Sequence, residues 1–141
     1  MNQVRLADDL LARILARESR YGEPAYLFVL ASIEHLQMSL PFRRHVTGQE
    51  LACAVRDHAR DQFGLLAPAV LRHWGIGQTM DIGRIVYTLV DVGLLVTQPD
   101  DRLEDFEGAW DFATAFDEWS YRWDGLPPPD GEDGTDPREA L

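Results

Sequence analysis

The stretch from His45 to Thr97 carries its own helix starts and stops, and this punctuation limits how the chain can fold. Thr47-Gly48-Gln49-Glu50 is a capping box, in which the Thr47 hydroxyl takes the Glu50 N–H and the Glu50 carboxylate reaches back to the Thr47 N–H. Leu51, Val55, Ala59 and Phe63 then recur every four residues, one face of a helix that Gly64 can end in the left-handed region. A second, shorter helix is predicted from about Leu65 to Trp74, with Pro68 tolerated in its first turn. After the tight turn Gly75-Ile76-Gly77, Thr79 is expected to cap a third helix, with Asp81 at its positive end. That helix carries Ile82, Ile85, Val86, Leu89 and Val90 on one face and stops at Gly93, with Leu94 packing back on it.

After Gly93 the period changes. Leu94-Leu95-Val96-Thr97-Gln98 is short, apolar and partly β-branched, which favours a strand, and Pro99-Asp100-Asp101 is a turn. Three helices, a strand and an acidic turn in this order resemble a winged-helix core. The expected fold class is therefore mainly α: a winged-helix-like core of three helices plus a short β strand or hairpin, preceded by two N-terminal helices.

The first N-terminal helix is amphipathic, with Leu6, Leu10, Ile14 and Ala7, Leu11 on adjoining stripes. The second begins near Pro24 and runs to about Leu40, where Pro41 stops it. Its first half, Ala25 to Ala31, is apolar all round, the pattern of a central post buried on most sides.

At 141 residues the chain is long enough for one domain with a core of its own. Residues 1–123 are expected to form it, and residues 124–141, rich in Pro, Gly and acids with almost nothing apolar, to be disordered. Cys53 is the one cysteine, so no intramolecular disulfide can form. The opening Met1-Asn2-Gln3-Val4-Arg5 leads into no apolar signal region, and no apolar run approaches the ~20 residues of a bilayer span. The expected location is the cytoplasm.

Charge is segregated. Residues 1–75 hold nine Arg against eight acids, whereas residues 76–141 hold four Arg against sixteen acids. One reading is an acidic tail that maintains solubility; the other is an acidic surface that meets a basic protein partner. Asp100 and Asp101 at the turn and the aromatic cluster Trp119, Tyr121 and Trp123 are the candidate partner-binding residues. Arg43, Arg44 and His45 just before the capped start at Thr47 are the one cluster with a physical argument for anion binding; the alternative is that the two Arg are solvated loop residues.

Chemistry is sparsely signalled. Cys53 and His58 stand five apart, off a shared helical face, and Cys53 reads as a buried small hydrophobe. His35 and His45 have no Cys or His at ligand spacing, and His73 reads as a hydrogen-bonded core residue or a helix C-terminal cation. The acids from Asp100 to Asp111 lack calcium-loop spacing, and no phosphate loop or nucleophile elbow is present. No catalytic residue, cofactor or metal is assigned. Phe106, Trp110, Phe112 and Phe116 are expected to pack on the core, with Asp111 capping a short helix.

The segments Arg20-Tyr21-Gly22-Glu23-Pro24-Ala25-Tyr26-Leu27-Phe28-Val29-Leu30, Arg44-His45-Val46-Thr47-Gly48-Gln49-Glu50-Leu51 and His73-Trp74-Gly75-Ile76 resemble the hallmark segments of a small bacterial family of unknown function. The resemblance runs from about Ala16 to Asp117 and implies no activity and no site residues.

The functional expectation is a non-enzymatic protein-interaction or regulatory module. Nucleic-acid binding through the Arg43-Arg44 corner is the first alternative. The third helix argues against it, since its polar face, Asp81, Arg84, Thr88 and Asp91, would repel phosphate. An acidic DNA mimic is the second alternative.

Overall fold

The computed structural model describes residues 7–116. The expected tail 124–141, the residue Leu6 and the cluster Trp119, Tyr121 and Trp123 lie outside the described residues. The described part is mainly α. Its helices are α1 (Asp8–Arg17), α2 (Glu23–Ser39), α3 (Gly48–Phe63), α4 (Ala67–His73), α5 (Thr79–Asp91) and α6 (Phe112–Ala115). Short 3-10 turns at Gly64–Leu66 and Leu103–Phe106 complete it.

The helix punctuation works locally as the residues require. At α3, Thr47 Oγ1 accepts from the Glu50 N–H at 3.1 Å, and Glu50 Oε1 accepts from the Thr47 N–H at 2.9 Å. The helices α4 and α5 end in the same six-to-one closure. Ile76 N–H donates to Leu71 O across Gly75, and Leu94 N–H donates to Leu89 O across Gly93, both at 2.9 Å. The glycines sit at φ 94° and 89°, where a Cβ would be strained.

Two local expectations need correction. Thr79 does not cap α5. Instead the Asp81 carboxylate accepts from the N–H groups of Gly77 and Gln78 at 2.9 and 3.1 Å, and the buried Thr79 hydroxyl takes the Ala109 N–H at 3.2 Å. The strand at Leu94–Gln98 does not form, and no strand occurs among the described residues. The N–H groups of both Leu94 and Leu95 go to Leu89 O, and the Gln98 N–H goes to the Asp101 carboxylate at 2.7 Å. The turn itself is present, closed by the Asp101 N–H on Gln98 O at 2.9 Å. Beyond it the chain enters a 3-10 turn instead of returning as a strand, so no ladder partner exists and the wing of a winged helix is missing.

Packing centres on α2 and α5. The first half of α2 is covered on most sides through Ala25, Tyr26, Phe28 and Val29. In α5, Ile82, Ile85, Val86 and Leu89 are buried as expected. So are Asp81 and Thr88 of the polar face, whereas Arg84 is half-buried and Asp91 is exposed. A recognition helix needs that face open to a groove, and here Tyr21 and Arg84 close over Asp81 at its start. On the Gly83 side of α5 the 3-10 segment Leu103–Phe106 forms a lid. Phe106 is 2 % exposed and lies where a Cβ on Gly48 or Gly83 would meet it at about 3 Å, so both glycines permit close approach of backbone. Trp110 hydrogen-bonds Ala52 O at 2.7 Å and its ring packs with Phe112 and Phe116, which seals the aromatic segment on the core as expected. Asp111 caps α6 by accepting from the Ala113 N–H at 3.0 Å.

Candidate ligand-binding cavity

A cavity of about 380 Å³ opens between the C-terminal half of α2, the start of α3, the end of α5 and the segments 94–97 and 101–106. Its size lies at the lower end of ligand clefts. The walls are apolar: Ile33, Leu51, Val86, Val90, Leu95 and Phe106. The residues Leu94 to Thr97 leave α5 as an irregular segment, held to Leu89 O through Leu94 and Leu95, and Val96 is 87 % exposed at the edge.

The polar end joins two groups that are far apart in sequence. Arg43, Arg44 and His45 come from the α2–α3 connection, and Asp101, Arg102 and Asp105 from beyond the turn. His45 Nε2 lies 3.1 Å from the Asp101 carboxylate, so an expected anion-binding residue and an expected partner-binding residue share one contact. Thr47 stands just behind, occupied as the helix cap. Asp100 is exposed beside the cavity and does not line it.

The anion-binding arrangement is not open. Arg43 forms two hydrogen bonds to Glu34, at 2.9 and 3.0 Å, and Arg44 forms two to Glu50, at 2.8 and 3.3 Å. The Arg44 backbone is clasped by the Gln37 amide, which donates to Arg44 O at 2.6 Å and accepts from its N–H at 3.2 Å. Arg44 and the Thr47 N–H together hold the Glu50 carboxylate down to about 2. With Glu50 as the ionised cap, the start of α3 carries its own anion.

Tyr87 and Arg102 are lining residues that sequence reasoning passed over, and Asp105 was weighed only among the acids of a calcium-type loop. Tyr87 lies beside the apolar stripe of α5, and an aromatic at that border was the available signal. Its hydroxyl is buried and has no hydrogen-bond partner among the described residues. Burial pushes its titration up, and Asp101, Asp105 and Glu104 push the same way. Such a phenol holds its proton, contrary to what a base requires.

The other chemistry candidates lie elsewhere. His58 stacks between Phe28 and His35, with ring centroids 4.8 and 5.2 Å away, a neighbour that residue spacing did not reveal. Burial and the His35 ring push its titration down. Cys53 is half-buried and not a core residue, and His73 is exposed at the end of α4. Among the described residues no group of three or more His, Cys, Asp or Glu is placed to hold a metal ion, and no helix is long and apolar enough to cross a membrane.

No family model, curated protein or solved structure matches this chain.

Proposed function

We propose that this chain is a non-enzymatic protein-interaction module whose receptor is the cavity between α2, α3, α5 and the segment 94–97. The observation that carries the reading is the apolar cavity together with its uncovered edge. Leu94 and Val96, both lining it, are 39 % and 87 % exposed. Exposed apolar groups that adjoin a concave apolar site mark contact surfaces. The partly buried polar face of α5, with Asp91 exposed and Arg84 paired to Asp81, and the self-paired Arg43 and Arg44 speak against the nucleic-acid alternative.

A native pull-down at low salt, with and without nuclease, tests this. Val90→Trp fills the cavity and Val96→Asp spoils its edge. Leu65→Asp serves as a control, because its exposed side chain sits beyond the far end of α3, about 24 Å along the helix. A stoichiometric protein partner kept by the control and lost by both cavity variants is expected. Partners that nuclease removes, or that all three variants retain, would refute the reading.

A further inference from the structure

We infer that the stacked rings of Phe28, His58 and His35 are an acid-sensitive latch on the seam between α2 and α3, closed while the His58 ring is neutral and released when it becomes a cation.

The latch follows from spacing. Phe28 and His35 stand seven residues apart on α2, two turns or about 10.5 Å along the helix. The His58 ring from α3 fills that gap, with centroids 4.8 Å from Phe28 and 5.2 Å from His35 and ring planes tilted by 31° and 35°. Phe28 in turn meets Phe63 and Trp74 at 5.5 and 5.4 Å, so the stack ties α2 both to α3 and to the end of α4.

The state of one nitrogen decides whether the stack holds. His58 Nδ1 is buried and has no hydrogen-bond partner among the described residues. A neutral ring can carry its one proton on Nε2 and leave only a lone pair at Nδ1. The imidazolium must place an N–H at Nδ1 as well, and a buried charged donor without an acceptor costs more than an idle lone pair. The face of Phe28 attracts a cation from one side. On the other side His35 of α2 meets it with like charge once protonated. Burial opposes the His58 cation most and His35 adds to it, whereas the exposed Asp61 of α3 favours the cation and is outweighed. Among the described residues these are the ionisable groups that act on His58.

The sign follows. Unfolded, the ring takes its proton near 6.5, and folded only at lower pH. The seam is fully stable above 6.5 and loses stability as the pH falls below it. Glu50, held near 2, and Glu34, held low by Arg43, change charge in more acid solution and do not share this window. None of the three rings lines the cavity, so the latch stands or falls apart from the proposed receptor.

Proton NMR of the His58 ring in the full native chain is the first test. Its midpoint is expected below 6.5, and the Trp74 indole N–H should move with the same midpoint as Phe28 shifts. Thermal melts at pH 7 and pH 5 are the second. Over that interval the native chain should lose at least about 4 °C more than His58→Phe, which keeps a ring in the stack and cannot become charged. His35→Asn should raise the His58 midpoint toward 6.5 and shrink the loss. A His58 midpoint at or above 6.5, a Trp74 signal that does not follow it, or an equal loss in His58→Phe would overturn the latch. Should His58→Phe fail to fold, the titration of the native chain still decides, since it needs no variant.

Discussion

Removing the Tyr21 hydroxyl would take one of four donors from Asp81. The others are the Arg84 guanidinium at 2.8 Å and the two backbone N–H groups that make Asp81 the cap of α5. Tyr21→Phe is expected to cost about 1–2 kcal/mol in urea unfolding, since the remaining donors still satisfy the carboxylate. Asp81→Ala should cost more, about 3 kcal/mol or above, because it strands a buried phenol and frees the helix start together. Equal losses for the two variants would mean that the carboxylate acts through Tyr21 alone. Glu50 gives a second test at this scale. Its folded value is about 2 against an ordinary 4.5. A depressed carboxylate contributes stability that is complete above about 4.5 and is lost as the pH falls toward 2. Glu50→Gln should therefore lower the melting temperature at pH 7 and narrow its gap to the native chain by pH 2.5. A gap that stays constant with pH would show that charge at Glu50 is immaterial.

The contact between α5 and the segment Leu103–Phe106 has no slack. A Cβ on Gly83 would lie 2.9 Å from Leu103 Cδ1 and 2.9 Å from Phe106 Cβ. Helix propensity favours Gly83→Ala by about 1 kcal/mol, whereas overpacking costs about 1–3 kcal/mol. The second effect wins because Phe106 Cβ is close to the backbone and cannot swing aside. Gly83→Ala should destabilise by about 1–2 kcal/mol in urea unfolding, and a stabilised variant would show that the segment moves freely. This element also marks where sequence reading stops. The helix bounds were legible because they depend on neighbours within a turn: Thr47 with Glu50, Gly75 with Leu71, Gly93 with Leu89. The strand was misread because a β-branched run says nothing about whether a partner strand exists. The 3-10 lid was missed because its cause lies in two distant glycines, Gly48 and Gly83, whose role is visible only once Phe106 is beside them.

For the molecule as a whole, the mainly α class could be read from periodicity, while the arrangement that builds the cavity could not. His45 and Asp101 are 56 residues apart, and only the path of the chain over α5 brings them to 3.1 Å. Arg43 and Arg44 were recognised as a cluster, but their partners Glu34 and Glu50 lie on two different helices, so their neutralisation was invisible in order along the chain. The irregular wall of the cavity has a kinetic meaning. Val96 and Thr97 donate no backbone hydrogen bond among the described residues, whereas the α5 wall is held by its full helical ladder. The mouth can therefore widen or close without unwinding a helix. In deuterium the amides of 96 and 97 should exchange in seconds, while those of Ile85 and Leu89 wait for global unfolding. Were the cavity to take an occupant as proposed, a slowing of exchange at Val96 and Thr97 would register it before any helix does.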